Sequence, residues 1–246
     1  MGNPPYSIGQ KSANDNAQNQ KYETLDIRIA NTYGNLSTAT NLNSLYDSYI
    51  KSFRWSTDRL DPKNGGIIGF VSNGAWLDGN STDGFRKSLE KEFSSIYVFN
   101  LRGNQRTSGE LSRKEGGKIF GSGSRTPISI TLLVKKPNNT ERSKIHYYDI
   151  GDYLSQKEKL EIISSFKSIN GLKWKTLKTN EYGDWINKRN DIFDSFIPLE
   201  PRKKSGKISQ SHFLINSLGL TTGRDPWCVN FSQTTISTKV DEMISF

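Results

Sequence analysis

Apolar residues in the first part of the chain alternate between two spacings, one typical of helices and one typical of buried strands. Positions from Leu45 to Leu60 follow a helical spacing, with Asn43 or Ser44 as the expected cap. Ile67–Val71 is a short apolar run between turn signals, which predicts a buried parallel strand. The spacing over Asp83–Phe93 is again that of an amphipathic helix. This order predicts an α/β fold built in layers.

Two further apolar runs, Ile96–Leu101 and Ile128–Lys135, predict strands separated by a long polar segment. They can pair as an antiparallel hairpin that closes a sheet. In contrast, Ser7–Thr40 has little apolar periodicity, and we interpret it as a long loop. Loops of that length inside a domain are usually functional or disordered, and both alternatives stay open here.

The chain changes character after residue 139, which predicts one domain over 1–139 and a second over 140–246. In the second region Ile145–Tyr153 predicts a strand and a turn. Ser155–Ile169 predicts an amphipathic helix, with Ser155 as its cap and Glu158 three residues later. Pro198–Lys207 is rich in proline and lysine and is interpreted as a linker. We therefore expect a partial α+β region after the first domain.

Composition favours a polyanionic partner. The 246 residues include 34 Lys and Arg against 25 Asp and Glu, a net charge of +9, although lysine-rich proteins in general share such a balance. A hydrophobic content of 33% is low, and it favours a core that other segments complete. The single cysteine, Cys228, excludes an internal disulfide and predicts a reducing, cytoplasmic setting. No stretch is apolar enough for a membrane, and His146 and His212 lack the spacing of metal ligands.

A basic, glycine-rich segment occupies Arg102–Arg125, with six basic residues, two acidic residues and six glycines. Glycine permits close approach to a DNA backbone, and cations replace its condensed counterions. The alternative is a solvated loop without a ligand. We favour DNA contact through Arg102, Arg106, Arg113 and Lys114.

The tetrapeptide Asn3-Pro4-Pro5-Tyr6 has the groups needed to methylate an adenine amine. The amine is a poor nucleophile because its lone pair is delocalised into the ring. The side-chain oxygen of Asn3 and the carbonyl of Pro4 can accept its two hydrogens, and Pro5 biases Pro4 toward an extended backbone. Tyr6 offers a ring face to a base swung out of the duplex. An ordinary turn near a chain terminus is the alternative.

These residues resemble the gamma-type amino-methyltransferases of DNA. The similarity extends over Asn3–Gln20 and Gly65–Leu77, and most specifically over FNLRGNQRTSGELSRKEGGKIFGSGSRTPISITLLVKK (Phe99–Lys136). In these segments the chain resembles the methyltransferase region of type ISP restriction-modification enzymes, single polypeptides that combine nuclease, motor, methyltransferase and target recognition. The segment Gly219–Trp227 is similar to the start of their recognition domain.

The resemblance implies adenine-N6 methylation of double-stranded DNA, with S-adenosylmethionine as the methyl donor. The implied fold is an incomplete methyltransferase-like layered sheet followed by part of a target-recognition region. It implies catalytic roles for Asn3, Pro4, Pro5 and Tyr6. The implied substrate contacts are Phe120, Arg102, Arg106, Arg113, Lys114 and Arg224. Phe120 would stack the flipped base; the alternative is that it anchors its loop to the core.

The glycine-rich donor site of the family precedes the tetrapeptide, and two residues precede Asn3 here. We therefore expect an upstream polypeptide as a further partner, and no methyl transfer by the chain alone. The main alternative is a non-catalytic DNA-binding remnant or subunit. A protein or RNA methyltransferase is a third alternative, since similar tetrapeptides also serve glutamine amides.

Overall fold

The computed structural model describes residues 1–5, 21–120, 125–138, 141–190, 192, 195–197, 199, 211–213 and 225–245. The chain forms two compact units, Met1–Lys188 and Arg189–Phe246. The described helices of the second unit are α6 (Asp225–Cys228) and α7 (Gln233–Ser245). The first unit contains the sheet and all the expected site residues except Arg224.

The first unit is built on a five-stranded sheet of order β1-β3-β2-β4-β5. Its strands are β1 (Gly66–Asn73), β2 (Ser95–Arg102), β3 (Ile128–Lys135), β4 (Lys144–Asp149) and β5 (Lys175–Leu177). The predicted hairpin is confirmed, because β2 and β3 pair antiparallel. The prediction of parallel pairing for β1 is wrong for its neighbour β3, which also runs antiparallel to β1. The reason is that the second strand of the hairpin inserts between β1 and β2.

Among the described residues of this unit, five α-helices accompany the sheet: α1 (Glu23–Ile29), α2 (Ser48–Thr57), α3 (Asp83–Glu92), α4 (Gly109–Glu115) and α5 (Gln156–Phe166). The predicted loop over Ser7–Thr40 is wrong for α1 and for the π-helical turn Ala30–Gly34 that continues it. Leu25, Ile29 and Tyr33, four residues apart, all face the core, and this packing stabilises the helix. Residues 6–20 lie outside the described part.

The start of α2 also differs from the sequence prediction. Asn43–Tyr46 forms a separate 3-10 turn, and α2 begins after Asp47, whose backbone is extended at ψ 144°. In α5 the predicted cap is confirmed. The Ser155 side chain accepts from the backbone N–H of Glu158, and the Glu158 side chain accepts from the backbone N–H of Ser155.

The two faces of the sheet bury two separate apolar clusters. The first contains Phe53, Trp76 and Phe85 with helices α1 to α3, and its aromatic rings meet edge to face. The second packs Phe99 and Leu101 against α5. Helices therefore cover both faces, and the α/β prediction is confirmed.

Strands β4 and β5 follow residue 140 and complete the same sheet, and the first compact unit ends at Lys188. The functional boundary expected between 1–139 and 140–246 stays a prediction. None of the described helices has the length and apolar character needed to cross a bilayer.

Candidate functional site

Three strands of the sheet end at the same edge. β1 and β2 are both antiparallel to β3, and β4 is parallel to β2, so β1, β2 and β4 point the same way. We name the edge where they finish the carboxyl edge. Ligands of open α/β sheets bind outside such an edge. The described site residues expected from the sequence can therefore be placed relative to it.

Gly2 lies beside β1 as a residue of a parallel strand would. Its N–H donates to the carbonyl of Gly69 at 2.9 Å, and the N–H of Val71 donates to its carbonyl at 3.0 Å. Residues after Gly2 therefore follow the direction of β1 toward the carboxyl edge. Pro4 is buried, whereas Asn3 is exposed. Tyr6 lies outside the described residues.

A groove of about 500 Å³ adjoins Asn3 and Pro4. Its other walls include Trp55, Arg59 and Ile67. The guanidinium of Arg59 stacks over the Trp55 ring at 3.7 Å, an arrangement that brings a cation into the groove wall. The side chains in the wall that carry polar groups include Asn3, Ser52, Ser56 and Arg59, and no carboxylate belongs to the described lining.

The basic segment begins where β2 ends, at the carboxyl edge. Arg102 has φ 55°, and its side chain pairs with Asp149 at 2.7 Å and with Asp152. Burial alone would lower the pKa of Arg102, but the two carboxylates raise it above its ordinary value. The charge of Arg102 is thus balanced within the fold.

A polar network orients the carboxylate that holds Arg102. The Tyr147 hydroxyl donates to Asp149 at 2.9 Å, and Asn100 donates to the Tyr147 oxygen at 2.9 Å. Burial, the largest influence, raises the pKa of Tyr147. The hydroxyls of Ser129 and Thr131, on the neighbouring β3, are buried without a hydrogen-bond partner among the described residues. Polar side chains therefore extend across this end of the sheet.

The other cations of the basic segment face solvent to different degrees. Arg106 and Arg113 are exposed, and Lys114 is half-buried. Arg113 lies 3.6 Å from Glu110, a surface pair that leaves most of its side chain accessible. The structure thus brings these three expected residues together on one segment at the carboxyl edge. Arg224 lies outside the described residues.

Phe120 packs with the second apolar cluster, beside Phe99, Leu101 and Ile128. This packing matches the alternative in which Phe120 anchors its loop. The ring is half-buried, so part of it faces outward. Its role in stacking a base stays a prediction.

Sequence reasoning missed Lys159, which is 0% exposed within α5. Its Nζ donates to the carbonyl of Glu115 at 2.7 Å and to that of Gly117 at 2.9 Å. Burial lowers the pKa of Lys159 to about 8. A signal was present, because Lys159 shares a helical stripe with the apolar Ile162 and Phe166. A lysine in such a stripe has to find buried acceptors.

In the described part of the chain, no group of three or more His, Cys, Asp or Glu side chains could hold a metal ion.

Comparison with known proteins gives matches among solved structures. No family model and no curated protein matches the chain. A nuclease-deletion mutant of the type ISP restriction-modification enzyme LlaGI, in complex with a DNA substrate mimic, is 47% identical, with a TM-score of 0.83 over 99% of this chain. The ATP-dependent type ISP enzyme LlaBIII bound to DNA is 44% identical, with a TM-score of 0.87 over 100%. The chain is homologous to type ISP restriction-modification enzymes.

The DrdV–DNA complex is a third similar structure, at 33% identity and a TM-score of 0.82 over 99% of this chain. The chain spans 19% of the LlaGI chain, 16% of the LlaBIII chain and 24% of the DrdV chain. It therefore matches a limited part of much longer polypeptides. The resemblance to type ISP enzymes noted in the sequence is confirmed, while the activity of the matched part is a separate question.

Proposed function

We propose that the chain is the adenine-binding part of a DNA adenine-N6 methyltransferase within a type ISP restriction-modification enzyme. The observation that carries the proposal is the pairing of Gly2 with β1, which directs Asn3-Pro4-Pro5 to the carboxyl edge. The basic segment starts at the same edge. A base-binding tetrapeptide and a phosphate-binding segment would thus act on one DNA molecule.

The chemistry assigned to this chain is the binding and polarisation of the target amine. The Asn3 side-chain oxygen and the Pro4 carbonyl would each accept one amine hydrogen, which localises the nitrogen lone pair. Tyr6 would stack the extruded adenine, and the outward part of Phe120 is the second candidate for that role. Arg106, Arg113, Lys114 and Arg224 would contact phosphates. Arg102 would support them through its pairs with Asp149 and Asp152.

The donor expected for this reaction, S-adenosylmethionine, supplies an electrophilic sulfonium methyl group. The described walls of the groove beside Asn3 contain the cation of Arg59 and no carboxylate, so they do not fit a cationic donor, whose charge nothing there would balance. We therefore assign the donor pocket to an upstream polypeptide.

The edge of β1 that Gly2 adjoins supports that partner. Gly2 already bonds to the Gly69 carbonyl and to the Val71 N–H, and strand alternation directs the backbone groups of Ile67 toward the same side. The Ile67 side chain is 68% exposed on this strand. A preceding strand, parallel to β1 and leading into Gly2, would pair with the backbone of Ile67 and cover its apolar side chain. The layered sheet of a methyltransferase would then be extended beyond β1.

The test is methyl transfer to DNA after fusion of the chain to an upstream type ISP segment. We expect no transfer by the chain alone and transfer by the fusion. Asn3→Ala removes one preorganised acceptor at the reacting centre, and such a loss costs on the order of 10²- to 10³-fold in rate. Tyr6→Phe keeps the stacking ring and is the matched control, with a much smaller loss. A fusion that methylates DNA equally well with Asn3→Ala would contradict the proposal.

A non-catalytic DNA-binding module is the second candidate. It is favoured by the misfit of the groove beside Asn3 to the donor and by the exposure of Arg106 and Arg113. This candidate predicts DNA binding by the chain and no methylation by any fusion. The same experiment therefore separates the two candidates.

A further inference from the structure

A second groove, of about 840 Å³, lies between the basic segment and the start of α5. We name it the α4–α5 groove. Two cations, two hydroxyl groups, two amides and three glycines line it: Arg113, Lys118, Ser108, Ser112, Gln105, Gln156, Gly109, Gly116 and Gly117. All the side chains that line it are therefore cationic or can donate hydrogen bonds. Cationic and hydrogen-bond-donating side chains favour the binding of an anionic ligand.

The two acidic residues of α4 have their carboxylates engaged outside the lining. Glu110 accepts a hydrogen bond from the Tyr153 hydroxyl, and Glu115 accepts from the backbone N–H of Asn104 at 2.9 Å. Neither residue belongs to the lining of the groove. Glu110 also lies 3.6 Å from Arg113, but both side chains are exposed, and a surface pair of this kind offsets the Arg113 charge only weakly. The cations of Arg113 and Lys118 therefore set the sign of the local potential.

The floor of the groove is held by close packing. Gly116 has φ 68°, and a β-carbon there would stand 2.2 Å from the carbonyl oxygen of Leu154. A β-carbon on Gly117 would stand 2.4 Å from the backbone nitrogen of Gln156. Glycine is therefore required at both positions, because the chain approaches α5 more closely than any side chain permits.

Lys159 completes this floor from beneath. Its two hydrogen bonds take up the carbonyls of Glu115 and Gly117, on either side of Gly116. Loss of Lys159 would leave the Gly117 carbonyl without this donor, while the Glu115 carbonyl would keep the backbone N–H of Gly103 at 3.1 Å. The contact that ties Gly117 to α5 would be lost, and the floor would be released.

We propose that the α4–α5 groove binds the sugar–phosphate backbone of DNA, and that Lys159 is the positioning residue that holds its floor. The inference rests on the DNA-binding part of the proposed function and is independent of methylation. Arg113 and Lys118 would pair with phosphates, while Ser108 and Ser112 would donate hydrogen bonds to phosphate oxygens. Gln105 instead supports the floor, because its side-chain amide donates to the Gly116 carbonyl at 2.9 Å. The start of α5 would thereby join the basic segment in one DNA-binding surface.

The first experiment measures the salt dependence of DNA binding by the full chain. Each phosphate contact contributes about 0.9 to the slope of log affinity against log salt, so Arg113→Ala/Lys118→Ala should lower the slope by about 1.8. Lys63→Ala/Lys136→Ala removes two exposed cations near the opposite edge of the sheet and is the matched control. We expect it to leave the slope within about 0.3 of that of the unsubstituted chain.

The second experiment tests Lys159. Lys159→Met should lower the slope by about 1, and adding it to Arg113→Ala/Lys118→Ala should lower the slope little further, because the groove is already disabled. Lys157→Met removes an exposed charge from the same helix and should have little effect. If the losses of slope caused by Lys159→Met and by Arg113→Ala/Lys118→Ala are fully additive, Lys159 does not act through the groove. That result would make Lys159 a structural residue and would overturn its role in holding the floor.

The possible failures are distinguishable. If Lys159→Met does not fold, as judged by circular dichroism, the floor role is tested by Gly117→Ala, for which the same non-additive loss of slope is expected. An unchanged slope in Arg113→Ala/Lys118→Ala would overturn the groove, while the assignment of Asn3 to methylation would stand. Absence of DNA binding by the unsubstituted chain would overturn both the groove and the DNA-binding part of the proposed function.

Discussion

Gly2 lies so close to Phe70 that a β-carbon on Gly2 would stand 2.9 Å from Cε1 of the aromatic ring. The ring belongs to the first apolar cluster, where it meets Phe53 edge to face at 4.9 Å. Movement of Phe70 would therefore disturb the core. Glycine at position 2 lets the backbone approach β1 and sets the direction in which Asn3 and Pro4 leave it.

The first prediction concerns this contact. Gly2→Val should displace the tetrapeptide by about 1 Å, and a displacement of that size can cost on the order of 10²-fold in rate. Methyl transfer by the fused enzyme is the measurement. Gly34→Ala is the control, because a β-carbon on Gly34 would have its nearest neighbour at 3.7 Å. Equal rates for the two variants would show that the Gly2 contact does not position the site.

The second prediction separates two arginines of the basic segment. Arg106→Ala should lower the salt slope of DNA binding by about 0.9 without changing stability, because the side chain is exposed. Arg102→Ala should lower the free energy of unfolding by about 1–2 kcal/mol, because it removes the cation that balances the carboxylates of Asp149 and Asp152. Urea unfolding and salt titrations check both. A slope change for Arg102→Ala at unchanged stability would instead make it a direct DNA contact.

Much of this fold follows from local sequence signals. The cap of α5 depends on a side chain three residues from its partner, and the hairpin depends on two apolar runs. The predicted parallel pairing of β1 is wrong because an apolar run indicates only that a strand is buried. It does not indicate which strand lies beside it or in which direction that strand runs. Helix α1 was missed because its apolar residues are few and their burial depends on long-range packing.

Some features of the candidate site can likewise be predicted from the sequence, and others cannot. The tetrapeptide and the basic residues could be identified from residue types alone, since their chemistry is local. The ion pairs of Arg102 could not, because Asp149 and Asp152 come from a strand and turn 47 and 50 residues later. The floor of the α4–α5 groove likewise depends on Lys159, more than 40 residues beyond its acceptors. Contacts between residues so far apart in sequence can be predicted only when the topology of the sheet is known.

The third prediction concerns Asp83, at the start of α3. Burial alone would raise the pKa of Asp83, but hydrogen bonds from Ser37, Thr38 and Lys87 outweigh it and lower the pKa to about 2. A lowered pKa stabilises the fold above the unfolded value of 3.8, and the contribution is lost as pH falls toward about 2. Asp83→Asn should therefore be less stable than the unsubstituted chain at neutral pH and should lose less stability below pH 3.8.

Thermal unfolding at a series of acidic pH values measures this difference. Glu161→Gln is the control, because Glu161 forms only a distant surface pair with Lys157, at 3.9 Å. We expect its acid unfolding to follow that of the unsubstituted chain. Identical pH profiles for Asp83→Asn and the unsubstituted chain would show that Asp83 does not contribute to acid stability.

The last prediction uses the buried lysine of α5. Burial is the main cause that lowers the pKa of Lys159 to about 8, with Arg102 acting in the same direction and Glu115 and Asp149 opposing it. The unfolded chain, with an ordinary pKa of 10.5, therefore binds more protons than the folded chain between these two values. Stability contributed by Lys159 should consequently rise as pH increases from about 8 to 10.5.

Lys159→Met removes this pH dependence. Between these pH values the free energy of unfolding of the unsubstituted chain should therefore increase relative to that of Lys159→Met. Lys157→Met, exposed on the same helix, should show no such growth, and urea unfolding across this pH range compares all three proteins. Parallel curves for the unsubstituted chain and Lys159→Met would mean that Lys159 titrates as an ordinary lysine, and that burial does not alter its proton affinity.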